Sequence, residues 1–199
     1  MLDDLVTQTI ELPSGDLQIL QPAESAELPD DGPVEWAPIA PYWSVLWRSG
    51  VALAREVDGM DLRGKRVGEL GCGLALPSIA VARAGATVLA TDADSEALEL
   101  VGRNAEANGV RVETARIDWT EPEELVKRGP FELVLAADVL YESASVDALL
   151  SLLPRLSPEV LLADPGRPAA DEFVERAKST WTTELRTHSV VRIHRLRLV

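Results

Sequence analysis

From Lys65 onward the chain alternates short apolar runs with longer stretches that repeat at helical spacing. Arg66–Leu70, Thr87–Thr91, Arg111–Ile117, Glu132–Ala136 and Glu159–Ala163 have the length and β-branched content of buried strands. Between them Leu74–Ala84, Ser95–Asn108, a short piece near Glu121–Lys127, Ala144–Leu153 and Ala169–Lys178 read as helices. Such alternation predicts a parallel sheet with helices on both faces, because each crossover must lie on one face. Thr182–Thr187 and Val190–Leu198 sit too close together for a crossover and are expected to pair antiparallel. Upstream, Val6–Ile10 and Leu17–Leu20 flank the turn residues Pro13-Ser14-Gly15-Asp16 and predict a hairpin. Pro22 to Pro41 has no period and reads as an irregular connection, and Tyr42–Val57 has the spacing of a helix.

The expected fold class is therefore α/β: a Rossmann-like, doubly wound, mostly parallel seven-stranded sheet with an antiparallel last strand, plus an N-terminal β-hairpin. With 199 residues, 46% of them apolar, the chain is expected to make one domain over 1–199, with 1–40 as hairpin and irregular extension and 41–199 as core. Its apolar runs are far too short for a membrane span, and Met1-Leu2-Asp3-Asp4 lacks the basic start of a targeting peptide, so the expected location is cytoplasmic. A single cysteine, Cys72, allows no internal disulfide and has no clustered partners for zinc.

Charge narrows the partners. The chain carries 33 acidic and 19 basic residues, a formal net charge of −14. That field repels phosphate backbones and attracts cationic surfaces, so nucleic acid is not expected as a partner. Arg186, Arg192, Arg195 and Arg197 are the one candidate basic patch, read here as the solvated face of a strand.

The chemistry gathers at the ends of the predicted strands, where ligands of such sheets sit. The first strand runs into Glu69-Leu70-Gly71-Cys72-Gly73-Leu74-Ala75, a turn whose glycines allow sharp bending and close approach of a ligand. The second ends in Thr91-Asp92, at the spacing of an acid that accepts from ribose hydroxyls. The third ends in Asp118-Trp119, suited to an adenine amino group and ring face, and the fourth in Ala137-Asp138 with Tyr141 behind it. A dinucleotide is disfavoured: Leu76 stands where its third glycine would be, Glu69 would repel a diphosphate, and no Lys or Arg lies between Gly68 and Ala82. A nucleoside carrying a cation fits better. Trp43 reads as core, Trp47 stays open between core and pocket wall, and Cys72, His188 and His194 read as structural.

These residues resemble the first two motifs of class I (seven-β-strand) S-adenosylmethionine-dependent methyltransferases, with Ala75 in place of the usual last glycine. Pro41-Tyr42-Trp43, Trp47, Asn104 with Asn108, Asp118-Trp119, Asp138-Val139-Leu140-Tyr141 and Asp164-Pro165-Gly166-Arg167 narrow the resemblance. It is to the methyltransferase-like protein-lysine methyltransferases, in the branch of the electron-transfer-flavoprotein β-subunit lysine methyltransferase. The resemblance implies Trp47, Glu69, Gly71, Gly73, Asp92, Asp118, Trp119 and Ala136 around S-adenosylmethionine, Asp138 and Tyr141 at the catalytic mouth, and Arg167 on the substrate side. It implies N-methylation of a lysine in a protein, and the acidic charge adds the expectation that this partner has a basic surface. Asp138 would attract and orient the amine; in the bland alternative it caps the following helix and Tyr141 packs on it. A small-molecule methyltransferase, an NAD-dependent oxidoreductase and a non-catalytic cofactor-binding module stand as the competing functions.

Overall fold

The computed structural model describes residues 2–26 and 41–199. Two strands, β1 (Leu5–Ile10) and β2 (Leu17–Pro22), form the expected antiparallel hairpin, and a single turn of helix, α1 (Ala23–Ala26), follows. The irregular connection expected over 22–41 otherwise lies outside the described residues. Then come α2 (Arg48–Asp58), β3 (Arg66–Leu70), α3 (Leu76–Arg83), β4 (Thr87–Asp92), α4 (Ser95–Ala107), β5 (Glu113–Arg116) and α5 (Glu123–Arg128). The chain continues with β6 (Leu133–Ala137), α6 (Ala144–Leu156), β7 (Glu159–Asp164), α7 (Pro168–Ala177), β8 (Trp181–His188) and β9 (Val191–Leu198).

Among the described residues, seven strands make one sheet in the order β5-β4-β3-β6-β7-β9-β8. The first five run parallel, while β9 pairs antiparallel with both β7 and β8, as the short spacing before it requires. Successive strand residues face opposite layers. Leu133, Leu135, Leu161 and Ala163 pack with Leu53 of α2, Ile79 of α3 and Leu100 of α4 on one face. Val134, Ala136, Val160 and Leu162 pack with Leu125 of α5, Leu149 of α6 and Phe173 of α7 on the other. Burial on both faces explains why these strands are apolar runs instead of alternating ones.

Two helix boundaries differ from the sequence reading by more than two residues. The helix expected from Tyr42 begins only at Arg48: Tyr42–Ser44 form a 3-10 turn, and Val45 and Trp47 are extended. Helix α6 runs past Pro154 to Leu156 although proline removes one backbone donor, because Leu152, Leu153 and Leu156 are buried and hold the last turn in place.

The order of strands reverses between β3 and β6, so the loops after these two strands diverge and leave a crevice at their carboxyl ends. The hairpin docks beside it. Asn108 accepts from Gln18 N (2.9 Å) and donates to Gln18 O (2.7 Å), while Asn104 accepts from Leu20 N (2.7 Å) and donates to Leu20 O. Spaced four residues apart, in the last turn of α4 and at its C-terminal cap, the two amides act as a substitute neighbouring strand for β2. At the end of β2 Gln21 donates to Ser44 O, and beyond it the Ser25 and Ser44 hydroxyls share a hydrogen bond, which ties the hairpin to the 3-10 turn.

Candidate active site

The crevice holds a cavity of about 740 Å³, within the range of small-ligand sites. Trp47, Glu69, Gly71, Gly73, Asp92, Asp118, Trp119, Asp138, Tyr141 and Arg167 all line it. Ala136 does not: it is fully buried on the α5–α7 face, and the neighbouring Ala137 is the residue of β6 that lines the cavity. The period of two along a strand puts these neighbours on opposite faces of the sheet.

The floor is the turn after β3. Gly71 and Gly73 have φ of +59° and +49°, and Ala75 takes the same left-handed conformation at φ 60° as the residue preceding α3. A Cβ on Gly73 would sit 2.9 Å from the carbonyl oxygen of Trp43, and one on Gly71 would press on Trp119 and Val139 at 3.3 and 3.2 Å. The glycines are therefore required by the protein's own packing. The turn is fastened by Asp92, whose Oδ2 accepts from Gly73 N (2.9 Å) and Oδ1 from Asp94 N (3.0 Å). Each carboxylate oxygen keeps a second lone pair for a ligand hydroxyl.

Glu69 also has a partner within the protein. Its Oε2 accepts from Ser78 N (2.9 Å) and from the Ser78 hydroxyl, inside the first turn of α3. Burial pushes its carboxyl up from 4.5 to about 8, so at neutral pH it is mostly protonated and supplies little of the repulsion to phosphate that the sequence suggested. Burial likewise pushes the Cys72 thiol up, in keeping with a structural role.

Asp118 spends Oδ1 on the backbone and hydroxyl of Thr120 (2.8 and 2.7 Å), and these bonds hold its carboxyl below the usual range. Among the described residues its Oδ2 has no hydrogen-bond partner, and Trp119 lies over Gly71 beside it.

At the mouth, Asp138 is left-handed (φ 57°) and its Oδ1 accepts from Arg167 Nε at 2.7 Å. It does not cap α6, which starts after Ser143 with no side-chain cap. Burial raises its carboxyl pKa against the opposing pull of Arg167. Arg167 is seated in turn by Asp164, whose Oδ1 accepts from Gly166 N (2.6 Å), Arg167 N (2.8 Å) and Arg192 Nη2 (3.2 Å). Tyr141 stacks on Tyr42 (centroids 5.4 Å apart, 26° between planes), and Trp47 lies 6.4 Å from Tyr42 while donating to its carbonyl (2.8 Å). Trp47 thus belongs to the cavity wall. Trp43 is 8% exposed, in the core as expected, but its carbonyl shapes the glycine turn.

Tyr42 and Val139 join the site without having been expected there; each sits inside a motif already singled out, but only folding shows which ring or methyl faces inward. The four C-terminal arginines are all engaged, Arg186 with Glu56, Arg192 with Asp164 and Asp171, Arg195 with Glu159, and Arg197 with Glu159 and Glu184. His188 pairs with Glu56 and His194 is buried on β9, both away from the cavity.

Comparison with known proteins places the chain in a family. A sequence model described as lysine methyltransferase matches residues 42–180, a span that contains nearly the whole cavity wall. The electron transfer flavoprotein beta subunit lysine methyltransferase of Xenopus laevis is 35% identical over 144 residues, covering 68% of this chain and 56% of that protein. Protein N-lysine methyltransferase METTL21A of Danio rerio is 36% identical over 121 residues, covering 57% and 55%. The chain thus spans about half the length of the relatives it matches. Among solved structures, the Thermus thermophilus 16S rRNA N2 methyltransferase RsmC, in complex with AdoMet and guanosine, superposes with a TM-score of 0.68 at 15% identity, covering 99% of this chain and 51% of that one. Magnesium protoporphyrin IX methyltransferase of Synechocystis, with SAM bound, gives 0.56 at 19%, covering 75% and 77%. At such identities these two speak for the fold alone, whereas the family match reaches well over half of the sequence: the chain belongs to the lysine methyltransferase family.

Proposed function

We propose that this protein transfers a methyl group from S-adenosylmethionine to the Nε of a lysine in a protein with a basic surface. The observation that carries the reading is that one cavity holds a nucleoside-type floor, made of the glycine turn, Asp92 and Asp118-Trp119, and a mouth made of Asp138, Arg167 and the Tyr42–Tyr141 stack. The floor suits an adenosine: Asp92 has lone pairs to spare for the ribose diol, Asp118 Oδ2 can accept from the adenine amino group, and Trp119 offers a ring face. When bound, the cofactor would supply an electrophilic methyl carbon that an amine lone pair attacks in line as the carbon–sulfur bond breaks, with S-adenosylhomocysteine as the leaving group. The chain's task is alignment and exclusion of water. Tyr42, Tyr141 and Trp47 wall the approach, their π faces favouring a cationic or methylated amine, and Asp138 accepts from the amine to orient it. The proton leaves to water before attack. Asp94, Asp118 and Glu142 on the cavity wall favour a basic partner.

The test is incubation of the purified protein with a cell lysate and tritiated S-adenosylmethionine. A labelled protein band that yields labelled N-methyl-lysine on acid hydrolysis is the expected result. Asp138→Asn should label the band far more slowly while its affinity for S-adenosylhomocysteine in calorimetry stays near that of the unmodified protein. Label confined to small molecules would move the function to the competing class.

A further inference from the structure

We propose that Arg167 is a positioning residue that keeps Asp138 neutralised, so that the acceptor amine meets a paired carboxylate and loses its proton at a lower pH than a free carboxylate would allow. This rests on the reading of the mouth as an amine site. The requirement comes from the chemistry: an ammonium has no lone pair, and an unpaired carboxylate within about 4–6 Å raises the pKa of an amine. A bare Asp138 would therefore hold the acceptor in its unreactive form.

The pair is built to persist. Asp138 and Arg167 meet at 2.7 Å with side chains only 7% and 23% exposed. Asp138 is placed between β6 and β7 by its left-handed backbone, with its N–H donated to Ala163 O at 2.9 Å. The backbone that carries Arg167 is fixed: Asp164, itself 1% exposed, accepts from its N–H and is braced across the sheet by Arg192, which Asp171 holds at 2.6 Å. The other titratable groups on the cavity wall are acidic: Glu69 from β3, Asp92 from β4, Asp94 after it and Asp118 after β5 on the floor side, and Glu142 beside Tyr141 at the mouth, with Asp164 behind and the phenol of Tyr42 alongside. Among the described residues that line the cavity Arg167 is the one Lys or Arg. Its guanidinium takes one oxygen of Asp138 through Nε, the buried Ser49 hydroxyl lies beside the same carboxyl, and the carboxylate lone pairs left over can orient the amine.

Two measurements test this. The first uses butyltrimethylammonium, a permanent cation of lysine-side-chain size, titrated into protein saturated with S-adenosylhomocysteine. Arg167→Gln should bind it roughly tenfold more tightly than the unmodified protein, and Asp138→Asn added to that variant should abolish the gain. Equal affinity in the unmodified protein and Arg167→Gln would overturn the proposal, with or without a known acceptor. The second follows initial rate against pH on the labelled acceptor. Arg167→Gln should move the acidic limb up by about one unit or more, with Arg167→Lys moving it back; a loss by the same factor at every pH would show a merely structural residue. Failure to label any acceptor with the unmodified protein would count against the function, while the cation titration still decides the charge pairing.

Discussion

Residue 73 shows how a motif can be right for a reason other than the expected one. Its glycine is demanded by the Trp43 carbonyl 2.9 Å from where a Cβ would stand and by a φ of +49°, two costs no side chain avoids. Gly73→Ala should therefore destabilise the protein by at least ~2 kcal/mol in urea unfolding, before any effect on ligand binding. At position 75 the chain accepts the same left-handed strain with an alanine, whose methyl group is buried beside Cys72, Ala90 and Val101. Glu69 supplies a pH signature. Its carboxyl is raised in the folded state from 4.5 to about 8, so the folded protein holds a proton that the unfolded chain gives up between those values. The stability this contributes is complete below about 4.5 and is lost as pH rises towards 8. Glu69→Gln keeps the acceptor for Ser78 and has nothing to titrate, so its melting temperature should fall less between pH 5 and 8 than that of the unmodified protein. Equal slopes would place the titrating group elsewhere.

Among the elements, the hairpin and the segment from Pro41 to Trp47 act as one support for the mouth. Asn104 is fully buried and bonds to Leu20 on the hairpin and to Leu74 O on the glycine turn (3.2 Å), so one side chain couples both. Asn104→Ala would leave backbone groups of Leu20 without partners, at a cost of about 1–3 kcal/mol. We expect hydrogen exchange at Gln18 and Leu20 to accelerate at least tenfold, with the amides of β3 and β6 still protected. Uniform acceleration across the sheet would show instead that the hairpin is part of the global folding unit. The sequence displayed Asn104 and Asn108 one turn apart on a helix but could not say what they faced, because the partner backbone lies over 80 residues away. The late start of α2 was hidden for a similar reason: Tyr42, Trp43 and Trp47 fit a helical spacing, yet the 3-10 turn is set by the Ser44 hydroxyl donating to Pro41 O and by the docked hairpin.

For the molecule as a whole, net charge and its placement matter together. The formal charge is −14, and the four C-terminal arginines that might have formed a basic patch are occupied by Glu56, Glu159, Asp164, Asp171 and Glu184. We therefore expect no change in the fluorescence anisotropy of labelled duplex DNA or RNA on titration with the protein at physiological salt; saturable binding would contradict this. What the sequence determined by itself was local: strands and helices from periodicity, the parallel class from their alternation, and the strand ends as the place for chemistry, since each depends on neighbours a few residues apart. Tertiary structure decided what depends on distant partners. It turned Ala136 to the core and Ala137 to the cavity, gave Glu69 to Ser78, stacked Tyr42 on Tyr141, and set Arg167 against Asp138. Charge and orientation at a site are set by which side chains meet across the fold, and no spacing along the chain encodes that.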